Sequence, residues 1–274
     1  MMKAEEKSIL ITGAASGIGR AAARAFLERG YTVYALDMEE IPAEEGLCPF
    51  TVDVRDEAAL AAIAERLAGE GVRLSAILCS AGIHRMSSLL EERTETLRRV
   101  IDVNLVGTML VCRLFHRLLG EGGRIVLVTS EVATYDPLPF NGLYTVSKVA
   151  LESYAQALRQ ELSLLGQRVV TVRPGAVDTP LAEGTGMAAV ELAGCTELYL
   201  REAHRFVGLT ARFRGKPIPP ERLARLLVRT VETRRPRLSY NCHRHAGLIL
   251  LSALPKRLQC AIVRCLLRHD WWFL

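Results

Sequence analysis

A tyrosine and a lysine four residues apart, Tyr144 and Lys148 in YTVSK, open a long helical stretch. At that spacing two side chains share one helix face. A free tyrosine titrates at about 10, and a neighbouring cation favours the phenolate and lowers that value. The pair would then supply a general acid or base near neutral pH. Ser130 closes the apolar run RIVLVTS, from which its hydroxyl could hold a substrate oxygen. Asn104 lies inside the apolar run VIDVNLVGTMLV, where a polar side chain needs a reason. A proton relay through water to Lys148 would supply one. Taken alone, a tyrosine and lysine at this spacing are ordinarily surface neighbours, so the rest of the chain must decide.

Upstream, the run TGAASGIG places Gly13, Ser16, Gly17, Ile18 and Gly19 between an apolar strand and an Ala-rich helix. Glycines there let the backbone approach a pyrophosphate, and the helix N-terminus offers NH groups and a positive dipole end. The competing reading is tight strand–helix packing. Asp37 ends the next strand, where a carboxylate can accept bonds from both adenosine ribose hydroxyls and would repel a 2′-phosphate. Ser16 occupies a position where a cation for that phosphate could sit, so the expected cofactor is NAD. Asp53, at the end of the third strand, could bond the adenine amino group, or cap a helix.

These residues need elements to hold them. Apolar runs predict strands at Ser8–Thr12, Thr32–Asp37, Pro49–Val54, Leu74–Cys79, Arg124–Thr129 and Arg168–Arg173. Between them fall helical stretches at Gly17–Glu28, Asp56–Leu67, Glu91–Leu119 and Gly142–Leu165. Continuous rather than alternating apolar runs mark a parallel sheet buried on both faces. The βα order predicts an α/β fold: a doubly wound, mostly parallel, Rossmann-type sheet with helices on both faces. Residues 1–274 are expected to form one dinucleotide-binding catalytic domain. Within it, 181–216 would be a substrate-covering segment with one or two helices. A helix at Pro219–Thr233 and a short strand at Leu238–Tyr240 would precede a helical extension over 241–274.

Composition bounds the alternatives. The 274 residues carry 35 basic and 30 acidic side chains, a mild excess that gathers late as an Arg-rich surface. No basic stripe with interleaved aromatics suggests nucleic-acid binding. Seven cysteines without a C-x-x-C pair favour a reducing compartment. Cys242, His243 and His245 lack a spaced partner set, so no metal is expected. The charged opening MMKAEEKS is unlike a secretory signal, and the apolar run Ala246–Leu254 is too short to span a bilayer, so a cytoplasmic location is expected. Trp271, Trp272 and Phe273, beside Arg257, Arg264 and Arg268, could give peripheral membrane contact. The competing reading is a helix docked on its own domain or a neighbouring subunit.

Over about residues 8–180 the chain resembles the short-chain dehydrogenase/reductase family. The resemblance rests on TGAASGIG, Asp37, DV at 53–54, SAG at 80–82, VNLVG at 103–107, VTS at 128–130, YTVSK at 144–148 and RPG at 173–175. It implies hydride transfer between an alcohol carbon and a nicotinamide, with Asn104, Ser130, Tyr144 and Lys148 as the catalytic tetrad. It also implies that Lys148 binds the nicotinamide ribose and that Pro174, Gly175, Val177 and Thr179 border the nicotinamide. Val54, Ser80, Ala81 and Gly82 join the cofactor contacts, and a homodimer or homotetramer is implied. Two departures stand out. Ser80 replaces the family's usual asparagine, which helps tie the central strands together. Ser130 and Tyr144 lie fourteen residues apart, one more than is common, leaving Thr129 and Glu131 as neighbours in register. A further likeness, in PFNGLYTVSKVALESYAQALRQEL and RRPRLSY, points to the hydroxysteroid and retinol branch. The expected substrate is a lipophilic secondary alcohol or ketone such as a hydroxysteroid, or alternatively retinol or another lipid alcohol. The segment's Met187, Val190, Leu192, Leu198, Tyr199, Leu200, Phe206, Val207 and Leu209 would line the pocket or pack their own helices. A cofactor-binding regulator without turnover is the alternative of another class.

Overall fold

The computed structural model describes residues 7–268 other than 214. Its centre is a seven-stranded sheet of order β3-β2-β1-β4-β5-β6-β7, every pairing parallel. The strands are β1 (Ser8–Thr12), β2 (Thr32–Asp37), β3 (Leu47–Thr51), β4 (Leu74–Cys79), β5 (Leu119–Val128), β6 (Arg168–Pro174) and β7 (Ser239–Cys242). The order reverses between β1 and β4, which creates the crevice where doubly wound sheets bind ligands, outside the carboxyl ends of the strands.

Every residue of β1 is buried because helices cover both faces. Leu10 joins one core with Leu36, Ile77, Phe115 and Leu151. Its neighbours Ile9 and Ile11 join the opposite core with Phe26, Val33 and Leu227. This two-sided burial is why the strand reads as an unbroken apolar run. Phe115 is fully buried, and truncating such a side chain to alanine costs about 3–5 kcal/mol.

The helices are α1 (Gly17–Leu27), α2 (Glu57–Gly69), α3 (Thr94–Ile101), α4 (Thr108–Phe115), α5 (Gly142–Ser163), α6 (Pro180–Cys195), α7 (Leu200–Phe213), α8 (Pro220–Glu232), α9 (Ala246–Ser252) and α10 (Lys256–Arg268). Asp56 caps α2 by accepting from Ala59 N at 2.9 Å, so the cap is not Asp53. The helical stretch expected over Glu91–Leu119 divides into α3, a π-helical turn at Asp102–Gly107, α4 and a short 3-10 turn. Strand β5 begins five residues earlier than its apolar run, at Leu119, with a register shift between Leu74 and Ala76 of its partner. The Gly-Glu-Gly-Gly sequence there reads as a turn, and only the pairing of Leu74 with Leu119 makes it strand. The short strand expected near 238 is the seventh member of the sheet, paired parallel to β6.

Candidate active site

The first strand ends in the glycine turn. Gly13 has φ +70°, and a Cβ there would lie 2.9 Å from the Ala81 backbone. A Cβ on Gly19 would strike the Gly13 carbonyl oxygen, so the turn closes on itself only with glycine at both positions. Gly17, at φ +51°, lies against Thr179, whose methyl carbon would be 3.2 Å from an added Cβ. Ser16 precedes α1 without a side-chain cap bond. These observations fit a dinucleotide: a turn bare of Cβ at Gly13, Gly17 and Gly19 lies before the opening of an eleven-residue helix.

Asp37 sits at the carboxyl end of β2 and turns back toward this cradle. One carboxylate oxygen accepts from Ala15 N at 2.9 Å, the other from Glu39 N at 3.1 Å. Asp53 is held differently. Both its oxygens accept from the Arg55 guanidinium, and that hydrogen bond is the main reason its carboxyl lies below the usual range. An adenine amino group would have to share Asp53 with Arg55. Val54 is buried against Gly107, and Val177 is buried in the core beside α1 and α8, so neither offers its side chain freely to a ligand.

Ser80 makes the strand tie that its substitution for asparagine left in question. Its hydroxyl donates to the Thr12 carbonyl oxygen at 2.5 Å, while Thr12 Oγ1 accepts from Ser80 N and Ala81 N, each at 3.3 Å. Two reciprocal hydroxyls thus join β1 to β4 at the crevice. Gly82 comes next, where a Cβ would lie 3.2 Å from Asn104 Oδ1 and 3.5 Å from Lys148 Nζ. The bare backbone leaves the space between those two groups open.

Asn104 lies in the π-helical turn, fully buried. Such turns are rare and recur at functional sites. Its amide is spent on the protein. Nδ2 donates to Ile83 O at 2.9 Å and to Ser147 Oγ at 3.0 Å, and Oδ1 accepts from Ile83 N at 2.8 Å. The polar residue in an apolar run therefore clamps the loop after β4. With both donors used, only acceptor capacity remains for the relay expected of it.

Ser130, Tyr144 and Lys148 come together at the carboxyl end of β5. The Tyr144 phenol is buried and hydrogen-bonded with Ser130. Lys148 Nζ lies 5.8 Å from the Tyr144 ring centroid and donates to Val128 O at 3.2 Å. The flanking residues turn elsewhere. Thr129 Oγ1 donates to Glu152 Oε1 at 2.6 Å, and Glu131 accepts from the Tyr135 hydroxyl at 3.1 Å and His245 N at 2.7 Å. The extra residue between Ser130 and Tyr144 falls in a connection containing a 3-10 turn at Glu131–Thr134 and the positive φ of Phe140.

The electrostatics correct one expectation. Burial pushes the Tyr144 phenol up to about 12, against a smaller lowering by the Ser130 bond. Burial pushes Lys148 down to about 8. Desolvation thus sets the direction for Tyr144, and the lowering comes from Ser130 rather than from the Lys148 charge as expected.

Two residues at the site carried no motif. His84 Nε2 lies 2.9 Å from Asn141 Oδ1, and its ring meets that of Tyr144 edge to face at 4.6 Å. Asn141 directly precedes α5. In sequence, the only signal was their closeness to the SAG and YTVSK runs.

Pro174 and Gly175 lie at the end of β6. Gly175 N donates to Cys242 O at 2.8 Å, and a Cβ on Gly175 would collide with the His243 carbonyl oxygen. Cys242 lies in β7, His243 Nε2 bonds Lys216 O at 2.8 Å, and His245 Nδ1 accepts from Leu248 N at 3.2 Å. Of the apolar residues between 187 and 209, Leu192 and Phe206 are buried in a satellite core with Met86, Phe140, Ala203 and Leu267, flanked by Tyr199, Val207 and Leu209. Val190, Leu198 and Leu200 face outward instead. The side chain of Met187 lies outside the described residues.

A crevice at the strand reversal, a glycine cradle opening a helix, and a buried tyrosine with lysine and serine define a nucleotide-dependent oxidoreductase class. Residues 7–188 match the family described as short chain dehydrogenase, and the chain belongs to that family. The family binds a nicotinamide cofactor and acts on alcohol and carbonyl carbons. "Probable oxidoreductase EphD" of Mycobacterium tuberculosis is 36% identical over 194 residues, covering 66% of this chain and 33% of that relative. The chain thus matches a third of the length of that relative. "3-oxoacyl-[acyl-carrier-protein] reductase FabG" of Thermotoga maritima is 32% identical over 204 residues, covering 70% of this chain and 82% of that one. A short chain dehydrogenase from Burkholderia cenocepacia, solved in complex with NADP, shares the fold with a TM-score of 0.72 at 22% identity, over 97% of this chain and 99% of that one.

Proposed function

We propose that this protein is an NAD-dependent oxidoreductase that interconverts a secondary alcohol and a ketone, on a bulky apolar substrate such as a hydroxysteroid. The observation that carries the reading is the buried Tyr144 phenol, bonded with Ser130 and backed by Lys148 beside the glycine cradle. When bound, the nicotinamide ring takes or gives the hydride. The chain's own residues handle the proton and the geometry. Ser130 orients the substrate oxygen, and Tyr144 exchanges a proton with it. Lys148 would hold the nicotinamide ribose, and its own charge would favour the phenolate over the value burial alone imposes. The cradle from Gly13 to Gly19 and the start of α1 receive the pyrophosphate. Asp37 takes the ribose hydroxyls, which disfavours a 2′-phosphate.

Support for an apolar substrate comes from the cover over the site. Phe140, four residues before Tyr144, packs edge to face on Phe206 of α7 and on Tyr199, at 5.4 and 5.7 Å. This arrangement gathers aromatic and aliphatic side chains of the segment after β6 around the residue that leads into α5, a composition like that of pockets for small apolar ligands. Exposed Val106, Val146 and Val149 on the π-helical turn and α5 support pairing of two copies through that face. The test is a panel of hydroxysteroids, retinol, short alcohols and sugar alcohols with NAD and NADP, monitored by nicotinamide absorbance. A hydroxysteroid or retinol with the lowest Michaelis constant is expected. A wide win for sugar or short alcohols would sink the apolar-substrate reading, and no turnover with any class would favour the non-catalytic regulator.

A further inference from the structure

The end of the described chain carries apolar surface that the domain leaves uncovered. Helix α9 has the sequence AGLILLS, yet none of its residues is buried. Leu250 is 70% exposed and Ile249 42%. Helix α10, by contrast, is firmly seated along one side. Leu267 enters the satellite core with Ala203 and Phe206 of α7, Val263 packs beside it, and Arg205 Nη1 donates to Leu267 O at 3.0 Å. Gln259 is buried and donates to Leu254 O at 2.7 Å, fastening the connection between the two helices. Leu258 and Leu266 remain exposed. The docked-helix reading therefore accounts for one side of α10 and leaves α9 and the outer side of α10 unaccounted for.

Charge identifies what would cover this surface. From His243 to His269 the sequence contains no Asp or Glu, while Arg244, Lys256, Arg257, Arg264 and Arg268 are all basic. Arg244 is engaged with Tyr135, Lys256 with Asp136, and Arg268 lies 3.7 Å from Glu202. Arg257 and Arg264 have no ion-pair partner among the described residues, and both are exposed. An apolar helix without burial, next to an amphipathic helix with unneutralised arginines, matches the chemistry of an anionic lipid surface. A second copy presenting the same patch would bring these arginines toward one another. The sequence beyond Arg268 adds Trp271, Trp272 and Phe273, which lie outside the described residues; tryptophan is a residue type enriched at membrane–water boundaries. No helix among the described residues is long and apolar enough to cross a membrane, so the contact would be peripheral.

We infer that α9 and the outer side of α10 form a docking surface for an anionic phospholipid bilayer. Because α10 packs on α7, the surface adjoins the helices proposed to cover the substrate, and a lipophilic alcohol could reach the site from the bilayer. The experiment is flotation of the full chain with vesicles of phosphatidylcholine alone and of phosphatidylcholine with phosphatidylserine. Binding to the mixed vesicles, weakened by added salt, is expected. Leu250→Asp should lower the partition coefficient about tenfold or more, since it puts a charge where a leucine would enter the bilayer. Arg257→Glu with Arg264→Glu should remove the preference for phosphatidylserine. Neither site touches the glycine cradle or Tyr144, so cofactor binding and circular dichroism should match wild type and exclude misfolding. Absence of binding to either vesicle overturns the inference, as does binding that ignores both substitutions. Sedimentation that finds a dimer broken by Leu250→Asp, without vesicle binding, would assign the surface to a second copy instead. The readout needs no turnover, so its failure is separable from failure of the oxidoreductase reading.

Discussion

The rings of His84 and Tyr144 meet edge to face, with centroids 4.6 Å apart and planes at 60°. The contact joins two anchored segments. Ile83, the preceding residue, is clamped on both its backbone groups by Asn104, and His84 Nε2 reaches Asn141 at the start of α5. With the Asn141 amide oxygen as acceptor, the proton sits on Nε2, and burial lowers the imidazole's pKa and favours the neutral ring. The geometry predicts that His84 positions the tyrosine. His84→Ala should lower turnover about tenfold, because small misplacements of a reacting group are costly, while cofactor affinity stays unchanged. His84→Phe keeps the ring contact and should recover most of the loss. Unchanged turnover in the alanine variant would refute the role.

Tyr144→Phe removes only the hydroxyl from a side chain that is already buried. Turnover should fall by about two orders of magnitude or more, the range expected for losing general acid–base catalysis. Cofactor binding, measured by fluorescence titration, should survive. Near-normal turnover would reassign the proton transfer to another group.

Lys148 carries a stability cost in the unliganded protein. Burial brings its pKa down to about 8 from the ordinary 10.5. A depressed basic group binds fewer protons folded than unfolded between those values, so its contribution rises with pH through that window and is lost as pH falls through 8. Lys148→Met should therefore raise stability at neutral pH by about 2 kcal/mol, the scale set by roughly 1.4 kcal/mol per unit and reduced by the lost bond to Val128. The gain should shrink steadily from pH 8 to 10.5. Denaturant melts at a series of pH values test this, and a gain independent of pH would contradict it.

Asp37 accepts from Ala15 N and Glu39 N, so its replacement acts on the cradle as well as on the ribose. Asp37→Asn keeps acceptor capacity and removes the charge. It should narrow the preference for NAD over NADP while leaving the fold intact, because repulsion of a 2′-phosphate depends on the charge. Asp37→Ala should narrow it too and also weaken NAD binding. Equal wild-type efficiency with both cofactors would remove the basis of the assignment.

The sequence alone determined the features that rest on local pattern. Mainly apolar runs specified β1, β2 and β4 to the residue, because burial on both faces leaves few polar positions inside them. The glycine turn was legible because positive φ at Gly13 and close backbone approach at Gly13 and Gly19 admit little else. Tyr144 and Lys148 were legible because helical spacing fixes them on one face. Tertiary structure decided the features that depend on distant partners. Asn104 was visible as an anomaly, but its clamp on Ile83 spans 21 residues and needs the π-helical turn. Ser130 was separated from its neighbours only by Glu152, 23 residues beyond Thr129, and by His245, 114 residues beyond Glu131. His84 had no pattern, since its significance lies in a ring contact with the distant Tyr144. The polar start of β5 became strand only through Leu74. The exposure of the apolar run in α9 was likewise a matter of tertiary structure, because its neighbours pack on the domain and leave it facing outward.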